Sequence, residues 1–199
     1  MAETFNTERC ARLPVLGMAI AALLAVITVL AATIALRWAL PDAPVVSEEL
    51  QQSQTLIADG LAAYRAGDLT AAAEAFSQAI TLAPEDAVAA YDLGTVRDAQ
   101  GDAAAARDLY TRAVELDPAF TDAHFNLAVS QATAGQDALA IASYRQVLDL
   151  EPDRSTALWN LGLLLHASGQ RDEAVSLLKQ AIELDPGFAS RLPAGIDLG

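Results

Sequence analysis

Residues 87–120 read AVAAYDLGTVRDAQGDAAAARDLYTRAVELDPAF, and residues 121–154 read TDAHFNLAVSQATAGQDALAIASYRQVLDLEPDR. Laid one under the other, the two lines match column by column: Gly101 with Gly135, Ala106 with Ala140, Tyr110 with Tyr144, Pro118 with Pro152. The interval is 34 residues, and it continues in both directions. Pro84 and Pro186 extend the proline column, Gly67 and Gly169 the glycines, Ala72 and Ala174 the alanines, and Phe76 and Leu178 the large apolar position. The chain therefore holds four copies of one unit, at 53–86, 87–120, 121–154 and 155–188.

Each column has a physical reason. The large residue stands four after the alanine, so both lie on one face of a helix and pack inward. Gly67-Asp68 and Gly135-Gln136 let the backbone turn between two helices, because glycine adopts positive φ without steric cost. The proline ends the second helix, and Leu82, Leu116, Leu150 and Leu184 just before it are expected to bury against the next unit. No unit can bury its apolar face alone, so the four must stack. A composition of 53% hydrophobic but only 6% aromatic residues, rich in alanine, also favours close-packed helices over strands.

These columns, with Gly60, Gly94, Ala128 and Gly162 near the unit starts and Ala79, Ala113, Val147 and Ala181 near the ends, resemble the tetratricopeptide repeat. The resemblance covers about two thirds of the chain and implies an all-α solenoid of helix-turn-helix repeats with one concave and one convex surface. Two places depart from the family pattern. Its tryptophan is replaced by Leu56, Ala90, His124 and Leu158, and its aromatic three residues after the early glycine by Ala63, Arg97, Gln131 and Leu165. After Phe188 only ASRLPAGIDLG remains, too short for a capping helix. The outer face of the last repeat, including Leu177 and Leu184, is thus expected to be open unless a partner or the tail covers it.

The resemblance implies that first helices line the concave groove and that partners bind there. The expected groove is apolar: Ile57, Tyr91, Phe125 and Trp159 in one column, Leu61, Thr95, Val129 and Leu163 one turn on, then Tyr64 and His166, with Asn126 and Asn160 beside them. It would take the apolar face of a helix or an extended peptide from another protein. Inter-repeat packing explains the aromatic column equally well, and the asparagines serve a peptide backbone or a neighbouring helix equally well. The family's clamp for acidic C-terminal tails is not implied, since its basic places hold Ile57, Tyr91, Asp122 and Phe125. Asp92 and Asp98 point instead to a basic or apolar partner.

Residues 13–36 carry no charge and would form a helix of roughly 36 Å, enough to span a bilayer. Arg12, Arg37 and Trp38 flank it as interfacial anchors. A cleavable signal peptide competes, with Val29 and Ala31 as the small cleavage residues, but the apolar run is too long for one. Arg9 and Arg12 before the span outweigh Arg37 after it, which puts the N-terminus in the cytoplasm and the repeats outside. Gly17, Ala21, Ala25, Thr28, Ala32 and Ala35 fall on one face, suited to another membrane helix or simply reflecting an alanine-rich segment. A tail at 1–12 precedes the span, a linker at 37–46 with Pro41 and Pro44 follows it, Ser47 N-caps the repeat domain of 47–188, and 189–199 closes the chain.

The net charge is −14, and residues 1–46 contribute none of it, since Arg9, Arg12 and Arg37 cancel Glu3, Glu8 and Asp42. So acidic a repeat domain repels nucleic acid. Lys179 is the sole lysine, a bias towards arginine that suits a GC-rich bacterial genome and hence the bacterial inner membrane. Cys10 is the sole cysteine, inert or a site of acylation, so there is no intrachain disulfide or cysteine metal cluster. His124 and His166 lie on separate repeats without metal-ligand spacing, and no phosphate loop or nucleophile elbow occurs. The expected protein is not an enzyme: no cofactor, no metal, no small-molecule substrate. It reads as a membrane-anchored adaptor, assembly factor or chaperone, or else as a permanent accessory subunit of a membrane complex.

Overall fold

The computed structural model describes residues 48–198. The chain divides into two units, Met1–Val46 and Ser47–Gly199. The spanning helix with Gly17, Ala21, Ala25, Thr28, Ala32 and Ala35, the linker, the Ser47 cap and Cys10 lie outside the described residues. Among the described residues no helix is long and apolar enough to cross a membrane.

Eight α-helices follow one another among the described residues: α1 (Glu48–Arg65), α2 (Leu69–Leu82), α3 (Ala87–Ala99), α4 (Ala103–Leu116), α5 (Thr121–Thr133), α6 (Asp137–Leu150), α7 (Ser155–Ala167) and α8 (Arg171–Leu184). Each packs most extensively on its partner within a pair, and each pair then packs on the next, which makes an all-α solenoid.

The turn inside each pair is closed by its glycine. Gly67 stands at φ 81°, and the next amide, Asp68 N–H, reaches back to Ala63 O at 3.0 Å, which satisfies carbonyls at the end of α1. Asp68 then caps α2 by accepting from Ala71 N–H at 3.0 Å, and Asp102 does the same for α4. In the last two repeats Gln136 and Gln170 hold that place and make no side-chain cap.

Within a pair the helices meet where the first is smallest. A Cβ on Gly60 would stand 2.8 Å from the Phe76 ring, one on Gly94 2.8 Å from Tyr110, and one on Gly162 2.8 Å from Leu178. The third repeat places Ala128 and Tyr144 in the same buried cluster. Between pairs the contact runs through Ala79, Ala113, Val147 and Ala181, all fully buried. The expectation for the leucines three residues later is corrected here: Leu82 and Leu116 are half-buried, but Leu150 is 41% and Leu184 49% exposed. Each ends its helix, so no further turn covers its outer side.

Of the two covers expected for the last repeat, a partner or the tail, the tail supplies one, although Leu184 itself stays exposed. A 3-10 helix, Pro186–Arg191, buries Phe188, and Leu192, Ile196 and Leu198 pack onto the cluster of Leu158, Trp159, Leu178 and Ala181. The tail is the cap.

Candidate partner-binding groove

The column of Ile57, Tyr91, Phe125 and Trp159 sits at the joints between repeats. Tyr91 meets Phe120 with ring centroids 4.8 Å apart, Trp159 stacks on Phe188 at 4.7 Å and 15°, and the Arg154 guanidinium lies 4.5 Å over the Phe125 ring. In each case the partner is 29 residues further on, where a repeat ends and the next begins. Each contact is of a kind that contributes about 0.5–1.5 kcal/mol beyond area burial. Trp159 is only 4% exposed, so its assignment to a partner surface is corrected: the tail has taken its face. Tyr91 and Phe125 are half-buried and engaged in these joints; Phe125 also meets Tyr144 edge-on at 5.9 Å.

The asparagines divide. Asn126 Nδ2 donates to the Tyr91 hydroxyl at 3.2 Å, bonding a neighbouring helix. Asn160 lines an open cleft of about 370 Å³ between α5 and α7, together with Val129, Ala132, Thr133, Tyr144, Leu163, Leu164 and Ala167. Burial pushes the Tyr144 hydroxyl above its ordinary pKa, and the hydrogen bond with Asn160 opposes that shift. Of the expected groove residues the cleft thus gathers Val129, Asn160 and Leu163. Ile57 and Leu61 pack on the cluster that Ala72, Ala73 and Phe76 of α2 form with Leu93 and Val96 of α3, and Thr95 returns its hydroxyl to Tyr91 O at 3.2 Å. Tyr64 is exposed and His166 half-buried. Ala132, Thr133, Leu164 and Ala167 were not anticipated, although they lie three or four residues from Val129, Asn160 and Leu163 and so share their helix faces.

The charges around this row are uneven. Arg154 pairs with Asp122 at 2.7 Å and with Glu151 at 3.4 Å. Asp92, in the column of Asn126 and Asn160, is half-buried, and desolvation with help from Asp86 raises its pKa from 3.8 to about 6. Between those values the folded chain holds a proton that the unfolded chain releases, so stability falls as pH rises through this window and the penalty is complete above 6. The ceiling on that penalty is about 3 kcal/mol, and solvent screening brings it to the order of 1 kcal/mol. Asp92→Asn is therefore expected to stabilise the domain by about 1 kcal/mol well above pH 6 and to do nothing below 3.8, as read by urea denaturation at the two pH values. An equal effect at both would show that the gain is not electrostatic.

His124 Nε2 lies 3.1 Å from Pro118 O, and no group of His, Cys, Asp or Glu able to hold a metal occurs among the described residues.

A family model described as tetratricopeptide repeat matches residues 57–119, 91–150 and 125–187. No curated protein matches by sequence. Among solved structures the chain is similar to MamA, with 27% identity over 73% of this chain and 85% of that one and a TM-score of 0.64. YrrB, described as a TPR protein with an unusual peptide-binding site, is 24% identical over 70% of this chain and 75% of its own, with a TM-score of 0.62. The first TPR of Spaghetti (RPAP3), bound to the HSP90 peptide SRMEEVD, is 20% identical over 60% and 94%, with a TM-score of 0.58. The last two likenesses are of fold.

Proposed function

Because this chain belongs to the tetratricopeptide-repeat family, we propose that it is a membrane-anchored protein-interaction module whose cleft between α5 and α7 holds an apolar helix or peptide segment of another protein. The observation that carries this reading is the lining of that cleft. Val129, Ala132, Leu163, Leu164 and Ala167 give it apolar walls, and Thr133 and Asn160 offer hydrogen bonds to a backbone. Val129, at 38% exposure, is apolar surface that a partner would remove from water. Residues 13–36 would hold the module in a bacterial inner membrane with the repeats on the outer side. An acidic tail such as SRMEEVD does not suit this acidic domain; an apolar or basic segment does. The role is that of an adaptor, assembly factor or chaperone. The alternative, a permanent accessory subunit, rests chiefly on the small-residue face of Gly17, Ala21 and Ala25, which lies outside the described residues; its second support, an uncapped last repeat, is weakened by the packing of Phe188.

One experiment tests both halves. Tagged full-length chain is sought in salt-washed membranes; recovery in the soluble fraction would sink the anchor. It is then purified in mild detergent with whatever it holds, beside a Val129→Asp/Ala167→Glu variant. Both positions are exposed, so the fold should survive. Charge in an apolar cleft disfavours a bound segment by about 2 kcal/mol or more, and captured partner is expected to fall more than about tenfold. Undiminished capture by the variant counts against the cleft.

A further inference from the structure

The tail after Phe188 is bound in two unlike ways. Phe188 is 3% exposed, stacked on Trp159 and also met by Arg191, whose guanidinium lies 5.2 Å over the ring centroid. Beyond Arg191 the chain leaves regular secondary structure, and Pro193 with Gly195 (φ 97°) turns it so that Ile196 N–H meets Pro193 O at 3.3 Å. This stretch lays three aliphatic side chains, Leu192, Ile196 and Leu198, each only partly buried, against the cluster of Leu158, Trp159, Leu178 and Ala181. In every earlier repeat the corresponding face is covered by the first helix of the next unit. Here a 3-10 turn and the short non-helical peptide after it cover it.

We propose that this face of α7 and α8 is a second peptide-binding site and that residues 192–198 are its built-in ligand, a strap that detaches while Phe188 stays in place. The structure itself displays the ligand chemistry: a short segment with an irregular backbone and branched aliphatic residues in the pattern Leu-x3-Ile-x-Leu. Phe188 keeps Trp159 covered when the strap leaves, so release uncovers the rest of the apolar cluster without dismantling the cap. Leu163 belongs both to this cluster and to the wall of the α5–α7 cleft, so an occupant of either site adjoins the other. The site stands on the tail contacts alone and does not require the cleft to hold a partner.

The test uses the full-length chain in detergent and a version ending at Arg191, which retains Phe188 and its stack. With Trp38 changed to Phe, Trp159 is the only tryptophan, and its indole N–H is followed by NMR. The shortened chain should show a shifted signal, and the synthetic peptide LPAGIDLG should return it to the full-length position. The full-length chain should need at least about tenfold more peptide, because its own tail competes at high effective concentration. Peptide carrying alanine in place of Ile196 and Leu198 should fail. Equal response of the two chains to peptide, or no response by a folded shortened chain, overturns the proposal. If the shortened chain does not fold, a full-length Leu192→Ser/Ile196→Ser/Leu198→Ser variant takes its place. Val129→Asp, which cripples the cleft, should leave the peptide response unchanged, so each reading can fail without the other.

Discussion

Phe188→Ala is expected to destabilise the repeat domain by about 3 kcal/mol, with the loss concentrated in the last repeat. The ring is 3% exposed, stacks on Trp159 and has the Arg191 guanidinium over it, so truncation removes buried area, an aromatic stack and a cation contact together. A solenoid does not share such a loss evenly, because its stability is a sum of repeat terms and nearest-neighbour interfaces. Amide exchange should therefore quicken first in α7 and α8, while α3 and α4 keep their protection. The free-energy loss is read by urea denaturation followed by circular dichroism. A loss below about 1 kcal/mol, or one spread evenly along the domain, would show that the tail is not the cap.

Much of this architecture was legible because repetition averages out local accident. One glycine or proline is weak evidence, but Gly67, Gly101, Gly135 and Gly169 in step with Pro84, Pro118, Pro152 and Pro186 leave room for one reading. The aromatic column was legible in position and not in role. Its partners, Phe120, Arg154 and Phe188, sit at the same 34-residue interval, yet their chemistry changes from ring to guanidinium and back, which hides them from any search for a repeated residue type. That the tail could cover the last repeat was legible, but not which of its residues would do so. A segment with Pro193 and Gly195 has no helical or strand period, so nothing in it announces that Leu192, Ile196 and Leu198 turn inward. In the cleft, the pattern gave one residue per turn and missed neighbours such as Leu164 and Ala167 on the same helical face.

Gly94→Leu is expected to be the most damaging single change in the domain interior, at about 4 kcal/mol. Two effects oppose each other at this position. Any side chain on a helical glycine gains backbone propensity, about 1 kcal/mol for alanine. Against that, a Cβ here would lie 2.8 Å from Cε1 and 2.9 Å from Cδ1 of Tyr110 and 3.3 Å from Cβ of Leu109. The Tyr110 ring is 1% exposed, meets Tyr91 at 5.8 Å and shares a buried cluster with Ala106 and with Leu127 of the next repeat, so it has little room to retreat. For alanine the clash and the propensity gain are of similar size, and Ala128 facing Tyr144 shows that a pair of helices can part far enough for one methyl. Gly94→Ala should therefore fall within about 1 kcal/mol of the parent. Leucine adds three more carbons to the same closed space, and propensity cannot offset them. The ring is identified as the cause by removing it: Gly94→Leu with Tyr110→Ala should be more stable than the sum of the two single losses by at least about 1.5 kcal/mol, measured as a double-mutant cycle in urea. Simple additivity would mean that the helices of the second repeat are held apart by something other than a glycine facing a ring.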